Sequence, residues 1–181
     1  MREIIATAED LHLPPLCGIV SYGLPAVASW MVCARWGRHR MLIVWVALID
    51  SFLLLDSVFN WRWRIHAFFS GIAIDEGVYG RRRGPQAIVL LLLAGFLFAA
   101  CIFALARLRG RMGAVLAVWG VLFALALWIT ETISLHQVDH VLYHSEGPLL
   151  EVCLLRLAIA TLTTAGVVVE ARRIQMNAIL E

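Results

Sequence analysis

The sequence predicts an all-α integral membrane protein: a bundle of about five transmembrane helices, with one interfacial amphipathic helix between spans two and three. Three observations carry that expectation. Of 181 residues, 61% are apolar and 15% charged, whereas water-soluble domains run nearer half apolar and a quarter charged. Five apolar stretches, at residues 16–34, 41–59, 87–106, 114–133 and 149–169, are long enough to cross about 30 Å of hydrocarbon at about 1.5 Å per residue. A backbone in hydrocarbon must pair its own polar groups, which makes each stretch a helix. Residues 1–181 then form a single transmembrane domain.

The opening "MREIIATAEDLHLPP" carries acids where a cleavable signal is basic, so it reads as a short amphipathic lead into span one. Span one contains "SYGLP", the stretch that looks most interrupted. Span two, "MLIVWVALIDSFLLLDSVF", holds Asp50 near its middle and Asp56 near its end. In segment 60–86, Trp61 and Trp63 suit an interfacial aromatic belt. Ile65, Phe68, Phe69 and Ile72 recur at i, i+3, i+4 and i+7, the pattern of a helix with one oily face lying on the membrane. Gly77, Gly80 and "RRR" follow, and Pro85 suits the first turn of span three. Span five is broken only by Glu151 and Arg156. Cys17, Cys33, Cys101 and Cys153 all fall inside spans, without a CxxC pairing, and read as small apolar packing residues.

All fifteen basic residues are arginine. Arg35, Arg38 and Arg40, then Arg107, Arg109 and Arg111, then Arg172 and Arg173 fall on one side of a five-span chain. The positive-inside rule makes that side cytoplasmic, with the N-terminus outside and the C-terminus in the cytoplasm of a bacterial inner membrane. Segment 60–86, with five arginines, is then outside against the rule, which long segments obey weakly.

Asp50, Asp56, Glu131, Glu151 and Arg156 fall in the middle or outer half of the membrane, and the inner half looks nearly featureless. A charge at the bilayer centre costs about 2.5–3.5 kcal/mol, so it faces protein, water or an opposite charge. Arg156 needs a carboxylate; Asp50 or Asp56 is the expected partner, with Glu131 third. A helix-to-helix ion pair that fixes packing and a polar cavity open to the outside are both compatible with that set.

In "SLHQVDHVLYHSEG", His136, His140 and His144 share one face if the helix continues. His136, Asp139 and His140 supply the ligand types that hold zinc, copper or iron, so a His/Asp-bound metal ion is one reading. The other is a polar helix end that pairs with Arg81, Arg82 and Arg83. Those arginines can grip carboxylate or phosphate groups, although a run of three is more often simply solvated.

"EGVYGRRRGPQ" resembles a Q-G-W-Y-x-x-R-R-x-x-Q pattern, and "SLHQVD" resembles S-F-H-H-V-D, in a family of small multi-span bacterial membrane proteins. "LLLDSVFNWRWRI" resembles that family's L-N-K-Q-L-D-L lead-in more loosely. The matching positions are Gly77, Tyr79, Arg82, Arg83, Gln86, Ser134, His136 and Asp139; Glu76, Val78 and Gln137 depart from the pattern. The resemblance implies one composite site built from the two outer segments. Tyr79, Arg82, Arg83 and Gln86 would be its partner- or anion-binding part. It supplies no reaction.

Three function classes follow. The first is a non-catalytic subunit or assembly factor of a membrane complex. Its expected partners are the bilayer and a membrane protein or a second copy, not nucleic acid. The second is a metal-dependent or redox enzyme using His136 and Asp139, for which no nucleophile–base pair or closed ligand set can be named. The third is a small transporter with Asp50 and Arg156 on the path; its usual pointer, paired broken helices in two related halves, is missing.

Overall fold

A computed structural model describes residues 13–36, 41–75, 83–133 and 151–180. Tyr79, Arg82, His136, Asp139 and His140 lie outside the described residues, and Arg83 is described for its backbone alone. The described chain is all helix: α1 (Leu13–Trp36), α2 (Met41–Phe59), α3 (Trp61–Asp75), α4 (Arg83–Arg107), α5 (Met112–Ile133) and α6 (Glu151–Leu180). All but α3 are long and apolar enough to cross a bilayer. The protein is built as a multi-pass membrane protein.

The helices alternate in direction. Gly18 near the start of α1 lies against Ser57 near the end of α2. Gln86 at the start of α4 reaches Ile133 at the end of α5, and Arg156 near the start of α6 reaches Glu131. One end of the bundle, the head, therefore gathers the starts of α1, α4 and α6 with the ends of α2 and α5. The tail is the opposite end.

Some boundaries differ from expectation. The helix of span five runs past residue 169 to Leu180. Span one is not interrupted: α1 continues through Pro25, which is fully buried. Pro25 has no N–H to give the preceding turn, yet the surrounding packing holds the helix together.

Why the core sits where it does follows from residue size. On α2 the buried set is Ile43, Val46, Ala47, Asp50, Leu53, Asp56 and Ser57, a single face at steps of three and four. On α5 it is dominated by small residues, including Gly113, Ala114, Ala117, Gly120 and Ala124. These let α5 and α6 approach backbone to backbone, the usual way helices associate in lipid, where apolar side chains gain little by leaving their surroundings. A β-carbon on Gly120 would stand 2.9 Å from the Thr163 Cα, and one on Gly166 would stand 2.8 Å from the Gly113 carbonyl oxygen. Neither space exists.

α4 is the outlier. Only 6% of its most apolar stretch is buried, against 39% or 44% in the other four spans. It is tied to α5 by the Trp119 indole N–H donating to the Cys101 carbonyl (3.0 Å) and by the Gln86 amide donating to the Ile133 carbonyl (3.0 Å). The expected oily face of α3 is present: Ile65, Phe68, Phe69 and Ile72 are all exposed on the protein surface.

Candidate functional site at the head of the bundle

The helix α2 ends at Phe59, and Asn60 takes a left-handed backbone (φ 57°). Asparagine tolerates this conformation better than most residues. Its N–H closes the helix on the Asp56 carbonyl at 2.7 Å. The chain turns sharply, so the backbone N–H of Arg62 donates to Asp56 Oδ1 at 2.9 Å. Asp56 thus ends one helix with its backbone and caps the start of the next with its carboxylate, satisfying a donor that a helix N-terminus leaves orphaned.

That turn also delivers the Arg62 side chain inward. Its Nη1 donates to Glu131 Oε2, and its Nε lies 3.7 Å from Asp56 Oδ2. From the other side, Arg156 Nη2 donates to both oxygens of Glu131, at 2.7 and 2.8 Å. Asp56, Arg62, Glu131 and Arg156 are all buried, none more than 4% exposed. Two guanidinium groups and two carboxylates balance formally within the cluster. A single carboxylate, Glu131, joins α3 and α6 to α5.

Where the structure places the expected residues can now be stated. Asp56, Glu131 and Arg156 come together as a polar cluster. The partner order changes: Glu131, expected third, grips Arg156 directly, while Asp56 serves Arg62. Asp50 is buried too but stands apart, making no ion pair among the described residues; its Oδ2 has no hydrogen-bond partner there. Arg62, expected in an interfacial segment, is instead part of the core. The signal for it was the spacing Asp56–Asn60–Arg62, an acid, a residue that permits a left-handed turn, and a base within one turn of the new helix.

The tail was not featureless either. Glu170, buried on α6, accepts from Arg111 Nε (3.0 Å) and Nη2 (2.7 Å), and from Arg173 Nη1 (3.3 Å). It lies one residue beyond the expected end of span five, where α6 continues as helix.

Beside the head cluster, α3, α4 and α5 enclose a cleft of about 460 Å³ whose walls include His66, Ser70, Gln86 and Thr132. His66 Nδ1 lies 3.2 Å from the Thr132 carbonyl, and Ser70 Oγ lies 3.2 Å from His66 Nε2. Since a carbonyl can only accept, Nδ1 carries the proton in that contact and Nε2 accepts from Ser70. His66 therefore tethers α3 to the end of α5.

Gln86 is the one expected partner-binding residue whose side chain is described. Its bond to Ile133 puts the first turn of α4 against the last turn of α5. The "RRRGPQ" stretch runs into that first turn of α4, and "SLHQVD" follows the last residue of α5 in the chain. Among the described residues no group of three or more His, Cys, Asp or Glu side chains could hold a metal ion; His136, Asp139 and His140 lie outside them. Comparison with protein-family models, with curated proteins and with solved structures returned no match.

Proposed function

We propose that the protein is a subunit or assembly factor of a bacterial inner-membrane complex, with the head of the bundle outside and its C-terminus cytoplasmic. In this reading a polar surface at the head, built from Tyr79, Arg82, Arg83 and Gln86 with His136 and Asp139, docks a membrane-protein partner or a second copy. The observation that supports it most is the Gln86–Ile133 bond, because it draws the flanks of both polar stretches to one place. The sealed head cluster points the same way. Its charges are spent on one another behind packed helices rather than lining a water-filled path, which weakens the transporter reading. The slightly buried α4 leaves a long helical face for a partner helix.

Purification in a mild detergent tests this. The wild-type chain is expected to bring down a membrane protein or to migrate as a higher oligomer, and Arg82→Ala with Arg83→Ala is expected to release it. An assembly that survives the double substitution would exclude this docking surface. Stoichiometric metal that disappears in His136→Ala with Asp139→Ala would favour the metalloenzyme reading instead.

A further inference from the structure

Two of the four cysteines meet at the head. Cys17 lies on the first turns of α1 and Cys153 on the first turn of α6, 136 residues apart in the chain. Cys17 Sγ approaches the Cys153 carbonyl oxygen at 3.5 Å, which sets the two residues side by side where α1 meets α6. Cys33 lies near the tail end of α1, and Cys101 lies on α4.

From this geometry we propose that Cys17 and Cys153 are a disulfide-forming pair that staples α1 to α6 across the head of the bundle, oxidised by a thiol–disulfide exchange partner. Cys17 is the entry point because it is half-exposed, whereas Cys153 is buried. The Cys17 thiolate attacks one sulfur of the oxidant's disulfide, forming a mixed disulfide and expelling the first oxidant thiolate. The Cys153 thiolate then attacks Cys17 Sγ and expels the second. Both protons leave with the two released thiols, so the protein loses two electrons and two protons and the oxidant gains them.

The staple would close beside the ion cluster. Gly18, next to Cys17, packs so tightly that a β-carbon there would stand 2.8 Å from Ser57 Oγ and 3.4 Å from Arg156 Nη1. Arg156 lies three positions after Cys153 on α6. Fixing Cys17 to Cys153 therefore fixes the wall of the chamber in which Arg156 meets Glu131. The proposal goes beyond the docking function and does not depend on it: it needs only that a disulfide oxidant reach the head of the bundle.

The test uses the full-length protein in detergent. It is incubated with oxidised glutathione, blocked with an alkylating reagent and mapped by non-reducing peptide mass spectrometry. The expected result is a peptide cross-linked through Cys17 and Cys153, with Cys33 and Cys101 still alkylated, and full reversal by dithiothreitol. The oxidised protein should melt at a higher temperature than the reduced one, and Cys17→Ser should abolish that difference. Retention of all four free thiols, glutathione stranded on Cys17 without transfer to Cys153, or a different cysteine pairing would each overturn the proposal. So would an oxidised form that melts no higher than the reduced one.

Discussion

Both ends of the bundle use the same device, one buried carboxylate shared by two arginines, but in opposite surroundings. At the head, Glu131 sits between Arg62 and Arg156, whose side chains are 5% and 1% exposed. At the tail, Glu170 sits between Arg111 and Arg173, whose side chains are 37% and 42% exposed. The tail arginines can turn their guanidinium groups to water or lipid headgroups while their stems stay on the protein. The head arginines have nowhere else to go. A short-range count of contacts would rate the two networks as equals, but solvation separates them. Exposed ion pairs contribute about 0–1 kcal/mol, whereas removing one partner of a buried pair costs about 3–5 kcal/mol because a charge is left without compensation.

The largest effect is therefore expected from Glu131. Glu131→Ala strands two buried arginines at once and should lower stability by about 3–5 kcal/mol or prevent folding, read as thermal unfolding in detergent. Asp56→Asn should cost less, since Asp56 serves Arg62 alone and an amide oxygen can still cap α3. Next comes the seam that joins the two ends. Gly120→Val forces a side chain into the Thr163 backbone, separating α5 from α6, and should cost about 1–3 kcal/mol or more. It should disturb head and tail together, visible as faster hydrogen exchange at both. At the tail, Arg173→Ala should change stability by about 1 kcal/mol at most, and the loss should shrink as salt is added. An effect of similar size belongs to Gln86→Ala, about 0.5–1.5 kcal/mol for one hydrogen bond. Its signature is local: faster exchange in the first turns of α4 with the α5–α6 seam unchanged.

How much of this was legible beforehand follows the same divide. Apolar runs of spanning length declare themselves, because a bilayer leaves a backbone few options, and five of the six described helices were placed that way. Asp56, Glu131 and Arg156 were also legible, since a charge inside an apolar run demands a partner. Which carboxylate Arg156 chooses was not, for that depends on helix rotation and on the α5–α6 approach permitted by Gly113, Gly120 and Gly166. Arg62 escaped for a different reason. "NWRWR" resembles an interfacial belt, and only the left-handed turn at Asn60 sends one of its two arginines into the core. The Cys17–Cys153 approach escaped because their chain separation is long and no local spacing announces it. Glu170 is not legible because hydropathy falls at the end of a span whether a helix stops or, as α6 does, continues.

The most direct measurement of the central claim compares Glu131→Gln with Glu170→Gln by thermal unfolding in detergent at low and high salt. Each substitution keeps the shape of the side chain and removes its charge. The account predicts a large, salt-independent loss of stability for Glu131→Gln and a small loss for Glu170→Gln that salt diminishes further. Equal losses in the two variants, or a Glu131→Gln protein as stable as the wild type, would contradict it.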